Sequence, residues 1–113
     1  MVLMRETHVP IAVLEYPVES IRGLDELADA FLTLTTRDDV NRFLRDLCTL
    51  AELEALAHRW QTARLVDEGV PYQEIAQRVP TSTATVTRVA QWLRHGSGGY
   101  RIALERTRAK ESG

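Results

Sequence analysis

Apolar residues recur at intervals of three and four along most of the chain after residue 18, and this spacing predicts a succession of α-helices. The first predicted helix begins after Ser20, a candidate N-cap, and runs to about Leu34. Thr36 is expected to cap a second helix. A capping box at Thr49–Glu52 opens the third and longest helix, which we expect to end near Gly69. The chain is therefore predicted to be all-α.

Apolar stripes predict which helix faces are buried. In the second predicted helix the stripe that we expect to be buried consists of Val40, Phe43, Leu44 and Leu47. The third helix is apolar on more than one face, which is typical of a central helix packed on several sides.

The segment 71–94 has the pattern of a helix-turn-helix. Two short helices are predicted, with a break at Pro80-Thr81 and with Ser82 or Thr81 capping the second one. Ala76 is small enough to let the two helices approach closely. Apolar residues stand at the motif's required positions, which are Ile75, Ala76, Val79, Val86 and Val89, and the second helix also carries Leu93. Pro80 stands where glycine is usual, so we expect the turn to differ in detail.

The two ends of the chain have different patterns. Residues 1–18 lack a helical period and contain two X-Pro pairs, which predicts an extended or mobile arm. Residues 19–113 are predicted to form one helical domain. The GSGG sequence at 96–99 should break the helices, and one more short helix should follow it. We expect RTRAKESG, residues 106–113, to fray.

Length and composition fit one small soluble domain. The chain has 113 residues, of which 44% are hydrophobic and 27% charged. A chain of this size has a thin core, so we expect burial of its long first helix to require a partner chain. We expect no membrane span and no signal peptide. The single cysteine, Cys48, cannot form an internal disulfide and fits a reducing cytoplasm.

Charge is distributed unevenly. Residues 1–77 hold 7 Lys and Arg against 14 Asp and Glu, whereas residues 78–113 hold 7 against 2. The net charge of −2 argues against a general polyanion binder. A basic block that begins at the second motif helix is nevertheless the pattern expected for nucleic-acid contact.

The sequence contains no set of residues that predicts catalysis. His8, His58 and His95 are far apart and have no metal-ligand spacing, and GSGG lacks the Lys-Ser/Thr of a phosphate loop. We therefore predict no enzyme activity, no metal and no cofactor. The main rival to DNA binding is a helical protein-interaction module with a degenerate helix-turn-helix.

The segment from Asp46 to Leu104 resembles the Trp repressor superfamily, and within it the YerC/YecD branch. The resemblance rests on DLCT before the long helix, on EALAHRWQTAR, and on STATVTRV followed by a glycine-broken GY..AL tail. It implies an intertwined homodimer that presents two helix-turn-helix units to successive major grooves. It also implies a cytoplasmic, nucleoid-associated bacterial regulator, and we expect a repressor that reads a palindromic operator.

The second motif helix would be the recognition helix, whose N-terminal part enters the major groove. Candidate DNA contacts on it are Ser82, Thr83, Ala84, Thr87 and Gln91. Arg88, Arg94 and Arg59 are candidates for phosphate contacts, because a guanidinium matches phosphate oxygens. Gln73 is added because it matches a DNA-contacting position in the Trp repressor.

The resemblance also bears on a small-molecule effector. In the Trp repressor, tryptophan lies between two arginines, which Arg59 and Arg88 match here. Val89 replaces a glycine that leaves room for the indole, and Trp92 replaces a serine that helps to bind the ligand. We therefore predict a pocket filled by Val89 and Trp92 and no tryptophan binding, since overfilling a packed site is costly. A different, smaller effector remains the alternative.

Overall fold

The computed structural model describes residues 21–112, and within that range all regular structure is helical. The predicted arm, the candidate cap Ser20 and His8 lie outside the described residues. The six helices are α1 Leu24–Leu32, α2 Arg37–Leu47, α3 Leu50–Asp67, α4 Tyr72–Arg78, α5 Thr83–His95 and α6 Gly99–Ser112. The prediction of an all-α chain is confirmed for this range.

Local capping sets the starts of the helices. The Thr36 hydroxyl accepts a hydrogen bond from the Asp39 amide at 3.0 Å, as an N-cap should. At α3 the capping box is complete. The Thr49 amide donates to Glu52 Oε1 at 2.7 Å, and the Glu52 amide donates to the Thr49 hydroxyl at 3.1 Å. Helix α1 begins at Leu24, later than predicted, because Gly23 has φ of 84° and so interrupts a right-handed helix.

The chain divides within α3 into two compact units. The unit before Ala57 contains α1, α2 and the first part of α3, and Phe31 and Phe43 pack edge to face in it with ring centroids 5.1 Å apart. No residue of α1 or α2 is fully buried. The predicted burial of the second stripe is therefore wrong for the chain alone: Val40, Phe43 and Leu44 are half-buried, and Leu47 is exposed.

The unit from Ala57 onward contains the rest of α3 and all of α4, α5 and α6. Its core is Ile75, Val79 and Val86, against which the half-buried Leu65, Val66, Val70, Tyr72 and Ala76 pack. Val79 leaves α4 in an extended conformation, with φ −109° and ψ 120°, because the following Pro80 disfavours a helical residue before it. The backbone therefore leaves the helix one residue before Pro80.

Helix α6 is longer than predicted, since it continues to Ser112 instead of fraying from Arg106 onward. Ion pairs link it to α3. Asp67, whose side chain is only 15% exposed, pairs with Arg101 at 3.8 Å and also with Arg108. Arg64 pairs with Glu111 at 3.8 Å. None of the described helices has the length and hydropathy needed to cross a membrane.

Candidate nucleic-acid interface

Helix α5 has one buried face and one exposed face. Val86, Val89, Ala90 and Leu93 are buried, and they anchor the helix to the core. The opposite face contains only small or polar side chains. A helix held in this way presents its exposed face as a fixed surface, which is what groove recognition requires.

All eight residues predicted to contact DNA are exposed. They are Gln73, Ser82, Thr83, Ala84, Thr87, Arg88, Gln91 and Arg94. Gln73 lies on α4, Ser82 is the N-cap of α5, and the other six lie on α5 itself. The structure therefore gathers them on the exposed surface of the helix-turn-helix.

The exposed residues of α5 form an ordered row. Thr83, Thr87, Gln91 and Arg94 follow one another at intervals of four, four and three, so they share one side of the helix. Ala84 and Arg88 lie on the adjoining row. Small side chains therefore occupy the N-terminal end of this surface, and the arginines occupy its middle and its C-terminal end.

The Ser82 hydroxyl is engaged in hydrogen bonds that cap α5, and this limits its availability for contacts with bases. Its hydroxyl accepts a hydrogen bond from the Thr85 amide at 3.1 Å and donates to the Thr85 hydroxyl at 3.1 Å. It therefore serves as the N-cap of α5, which favours Ser82 over Thr81 between the two predicted caps.

The basic block, residues 78–113, has less uncompensated positive charge than its count of Lys and Arg suggests. Of its seven Lys and Arg residues, three are ion-paired within the described chain. Arg78 pairs with Glu74 at 3.3 Å, and Arg101 and Arg108 both pair with Asp67. Arg88 and Arg94 form no such pair within residues 21–112. The uncompensated charge of α5 is thus concentrated in these two arginines.

A hydrogen bond between side chains of the two motif helices went unpredicted. Arg94 Nη2 donates to the Tyr72 hydroxyl at 3.1 Å and so joins the start of α4 to the end of α5. The two residues are 22 positions apart, and no local sequence pattern indicates their contact.

The four residues of the predicted effector pocket do not share one cavity. Arg59 and Trp92 line a cavity of about 430 Å³ together with Trp60 and Tyr100. Val89 is instead buried in the packing of α5, and Arg88 is exposed and does not line the cavity.

Aromatic rings form the walls of this cavity. Trp60 and Tyr100 stack with centroids 6.5 Å apart and an interplanar angle of 19°. Burial raises the pKa of the Tyr100 phenol, and the nearby Arg59 charge partly opposes that effect. A Cβ at Gly96 would collide with the Trp92 carbonyl oxygen, so glycine lets the chain turn closely past Trp92.

No group of acidic, histidine or cysteine side chains suited to a metal ion is present among the described residues. The histidines of that range, His58 and His95, lie on α3 and at the end of α5. The arrangement on α5 can instead supply small polar side chains and cationic groups to an extended polyanion.

Comparison with known proteins places residues 22–108 in the family described as Trp repressor protein. A Bacillus subtilis (strain 168) protein, described as uncharacterized protein YerC, is 37% identical over 97 residues, which are 84% of this chain and 93% of that protein. This family is of a transcription-regulator type and not an enzyme class.

Two crystal structures are similar to the chain. A TrpR-like protein from Eubacterium eligens ATCC 27750 has a TM-score of 0.73 at 33% identity, covering 78% of this chain and 91% of that one. A candidate Trp repressor from Staphylococcus aureus has a TM-score of 0.72 at 37% identity, covering 89% and 96%. The all-α Trp-repressor-like fold is thereby confirmed, and the relationships suggest a DNA-binding regulator.

Proposed function

The chain belongs to the Trp repressor family, in the branch related to YerC, and on that premise we propose that it is a sequence-specific DNA-binding transcription repressor. It reads a palindromic operator through α4 and α5 as a homodimer, and it does so without tryptophan. The observation that carries the proposal is the division of α5 into a buried apolar face and an exposed face with two arginines that form no ion pair within residues 21–112.

The roles of the exposed residues follow from their chemistry. Thr83, Ala84 and Thr87 are small enough to approach base edges closely, with methyl contacts and bridging waters. Gln91 can form two hydrogen bonds with an adenine. Arg88 and Arg94 bind phosphates and fix the position of the helix. Gln73 adds a contact from the start of α4.

The surface of the first unit supports the homodimer. Leu32 is 81% exposed and Leu50 is 72% exposed, although both are large apolar side chains. Burial of a leucine side chain is more favourable than its exposure to water by about 1.5–3 kcal/mol. Association with a second copy that covers Leu32 and Leu50 is therefore favoured. A two-fold dimer places its recognition helices about 34 Å apart, which matches one turn of DNA.

Independence from tryptophan is proposed from two positions at which this chain differs from the Trp repressor. Val89 fills the interior beside α5, and Trp92 brings its own indole to the cavity that Arg59 lines. Trp92 thus places a protein side chain at the wall of this cavity, where a bound indole would need space, whereas Val89 lies outside the cavity and adds bulk to the packed interior. Calorimetry should therefore show no micromolar binding of tryptophan, and such binding would refute this part of the proposal.

A salt-titrated gel shift tests DNA binding. A short random-sequence duplex should bind at low salt, and affinity should fall steeply as salt rises, because bound phosphates release counterions. A selection from random DNA should then yield a palindromic site bound more tightly than the random duplex. Absence of any DNA affinity at low salt would instead support a helical protein-interaction module.

Two substitutions distinguish a residue that binds phosphate from a residue that recognises the base sequence. Arg88→Ala should weaken binding to selected and random duplexes alike and lower the salt slope by about 1, because one phosphate contact is lost. Thr83→Ala should change the sequence preference, with little effect on random DNA. Equal effects of both changes on both duplexes would contradict these roles.

The cavity supports a second candidate, a regulator that responds to an effector other than tryptophan. Its volume of about 430 Å³ and its walls of Trp60, Trp92 and Tyr100 fit a small planar molecule, with Arg59 available for an anionic group. A thermal-shift screen of aromatic acids tests this candidate. A hit should lose its effect in Arg59→Ala.

A further inference from the structure

Tyr72 joins the two helices of the helix-turn-helix. Its ring packs against the core of Ile75, Val79 and Val86, while its hydroxyl accepts the hydrogen bond from Arg94 Nη2 at 3.1 Å. The ring is thus held by packing, and the hydroxyl oxygen has a fixed position. Arg94 is exposed and continues the row of Thr87 and Gln91 on α5.

The partner of Arg94 is neutral, and this distinguishes it from other arginines of the same unit. Arg78, Arg101 and Arg108 are paired with carboxylates, which offset their charge. Within residues 21–112 no carboxylate pairs with Arg94. A phenol oxygen therefore orients this guanidinium and leaves its positive charge available, with further N–H donors free to face outward.

We propose that Tyr72 is a positioning residue that pre-orients Arg94 for a phosphate of the DNA backbone. This inference rests on the proposed function. A free arginine side chain loses rotamer entropy when it is ordered. Holding the guanidinium in place before DNA arrives reduces that cost at the moment of binding, which increases affinity without a new contact to DNA.

The test is a double-mutant cycle of Tyr72→Phe and Arg94→Ala in the full chain, measured by fluorescence anisotropy on a random-sequence duplex. Tyr72→Phe removes the acceptor and keeps the packed ring, so the fold is retained, as circular dichroism should verify. It should weaken binding about three- to tenfold, the range of one net hydrogen bond. In the Arg94→Ala background the same change should have no effect.

A second cycle with Arg88→Ala is the matched control, because Arg88 is also an exposed arginine of α5, and within residues 21–112 the hydrogen bond of the Tyr72 hydroxyl is to Arg94 and not to Arg88. There the effect of Tyr72→Phe should remain at its full size. A merely structural role of Tyr72 would weaken binding equally in all three backgrounds, and that result would overturn the inference. Unchanged affinity of Tyr72→Phe in the otherwise wild-type chain would also overturn it.

The experiment separates this inference from the proposed function. Salt-dependent binding by the wild-type chain upholds DNA binding whatever Tyr72→Phe does. If the wild-type chain has no affinity for the duplex even at low salt, the proposed function fails, and the inference fails with it.

Discussion

The two units of this chain differ in how much of their apolar surface they bury themselves. The helix-turn-helix unit has a closed core in which Ile75 and Val86 are wholly shielded from water. In the unit before Ala57, α1 and α2 have apolar faces but contain no buried residue, and Leu32 is almost fully exposed. The same kind of helical periodicity is thus accompanied by a buried apolar core in the helix-turn-helix unit and by exposed apolar residues in the unit before Ala57.

This difference assigns separate tasks to the two units. The helix-turn-helix is fixed by its own packing, so its exposed face keeps its shape without help from another chain. The first unit has surface for association, and in our proposal a second copy covers it. Changes in the core should therefore affect folding, and changes in the open surface should affect assembly.

The largest expected effect comes from Ile75→Ala. Ile75 is 0% exposed, so truncation should remove both its burial energy and its packing, and should lower the free energy of unfolding by about 2–5 kcal/mol. Chemical denaturation at one fixed protein concentration measures this change. Gln77→Ala, on the exposed side of the same helix, is the control and should stay within about 0.5 kcal/mol. Similar losses for both variants would mean that α4 is not anchored by this core.

Leu32→Glu tests the open surface. If a second copy covers Leu32, a charged side chain there should raise the dimer dissociation constant at least about tenfold, because burial of a leucine is worth about 1.5–3 kcal/mol. Sedimentation equilibrium measures the constant, and helix content should be retained.

The control for assembly is Asn41→Glu. Asn41 is exposed on α2 and lies off the apolar stripe of Val40, Leu44 and Leu47, so the same added charge should leave the dissociation constant nearly unchanged. If Leu32→Glu behaves like this control, the surface around Leu32 is not an interface, and the contrast between the two units loses its explanation.

Sequence reasoning succeeded where the structure depends on near neighbours. The caps at Thr36, Thr49 and Ser82 act over three residues, and each lies where the sequence predicted a helix start. The spacing of Ile75, Val79 and Val86 likewise predicted the core of the helix-turn-helix. Periodicity indicates that a helix has an apolar face, but it does not tell which chain covers that face, and so the predicted burial of the α2 stripe was wrong.

At the candidate site, too, local features were predictable from the sequence and contacts between distant residues were not. The exposed row on α5 follows from helical spacing and was predictable. The contact of Tyr72 with Arg94 depends on how two helices cross, and the separation of Arg88 from the Arg59 cavity depends on the packing of three elements. The ion pairs that offset part of the positive charge of the basic block were not predicted either, because Asp67 and Arg108 are 41 residues apart.

The smallest expected effect concerns the attachment of α6 to α3 within the helix-turn-helix unit. Asp67→Asn removes the carboxylate that pairs with Arg101 and Arg108, whose side chains are about half exposed or more. Solvent screening limits each such pair, so the free energy of unfolding should fall by only about 0.5–1 kcal/mol. The loss should shrink in high salt, because salt screens partly exposed charges. Glu74→Gln, which breaks the exposed pair with Arg78 inside α4, is the control and should cost less. A loss for Asp67→Asn that is the same at low and high salt would show that α6 is held by packing around Leu104, and the ion pairs would then follow the docking of the helix instead of causing it.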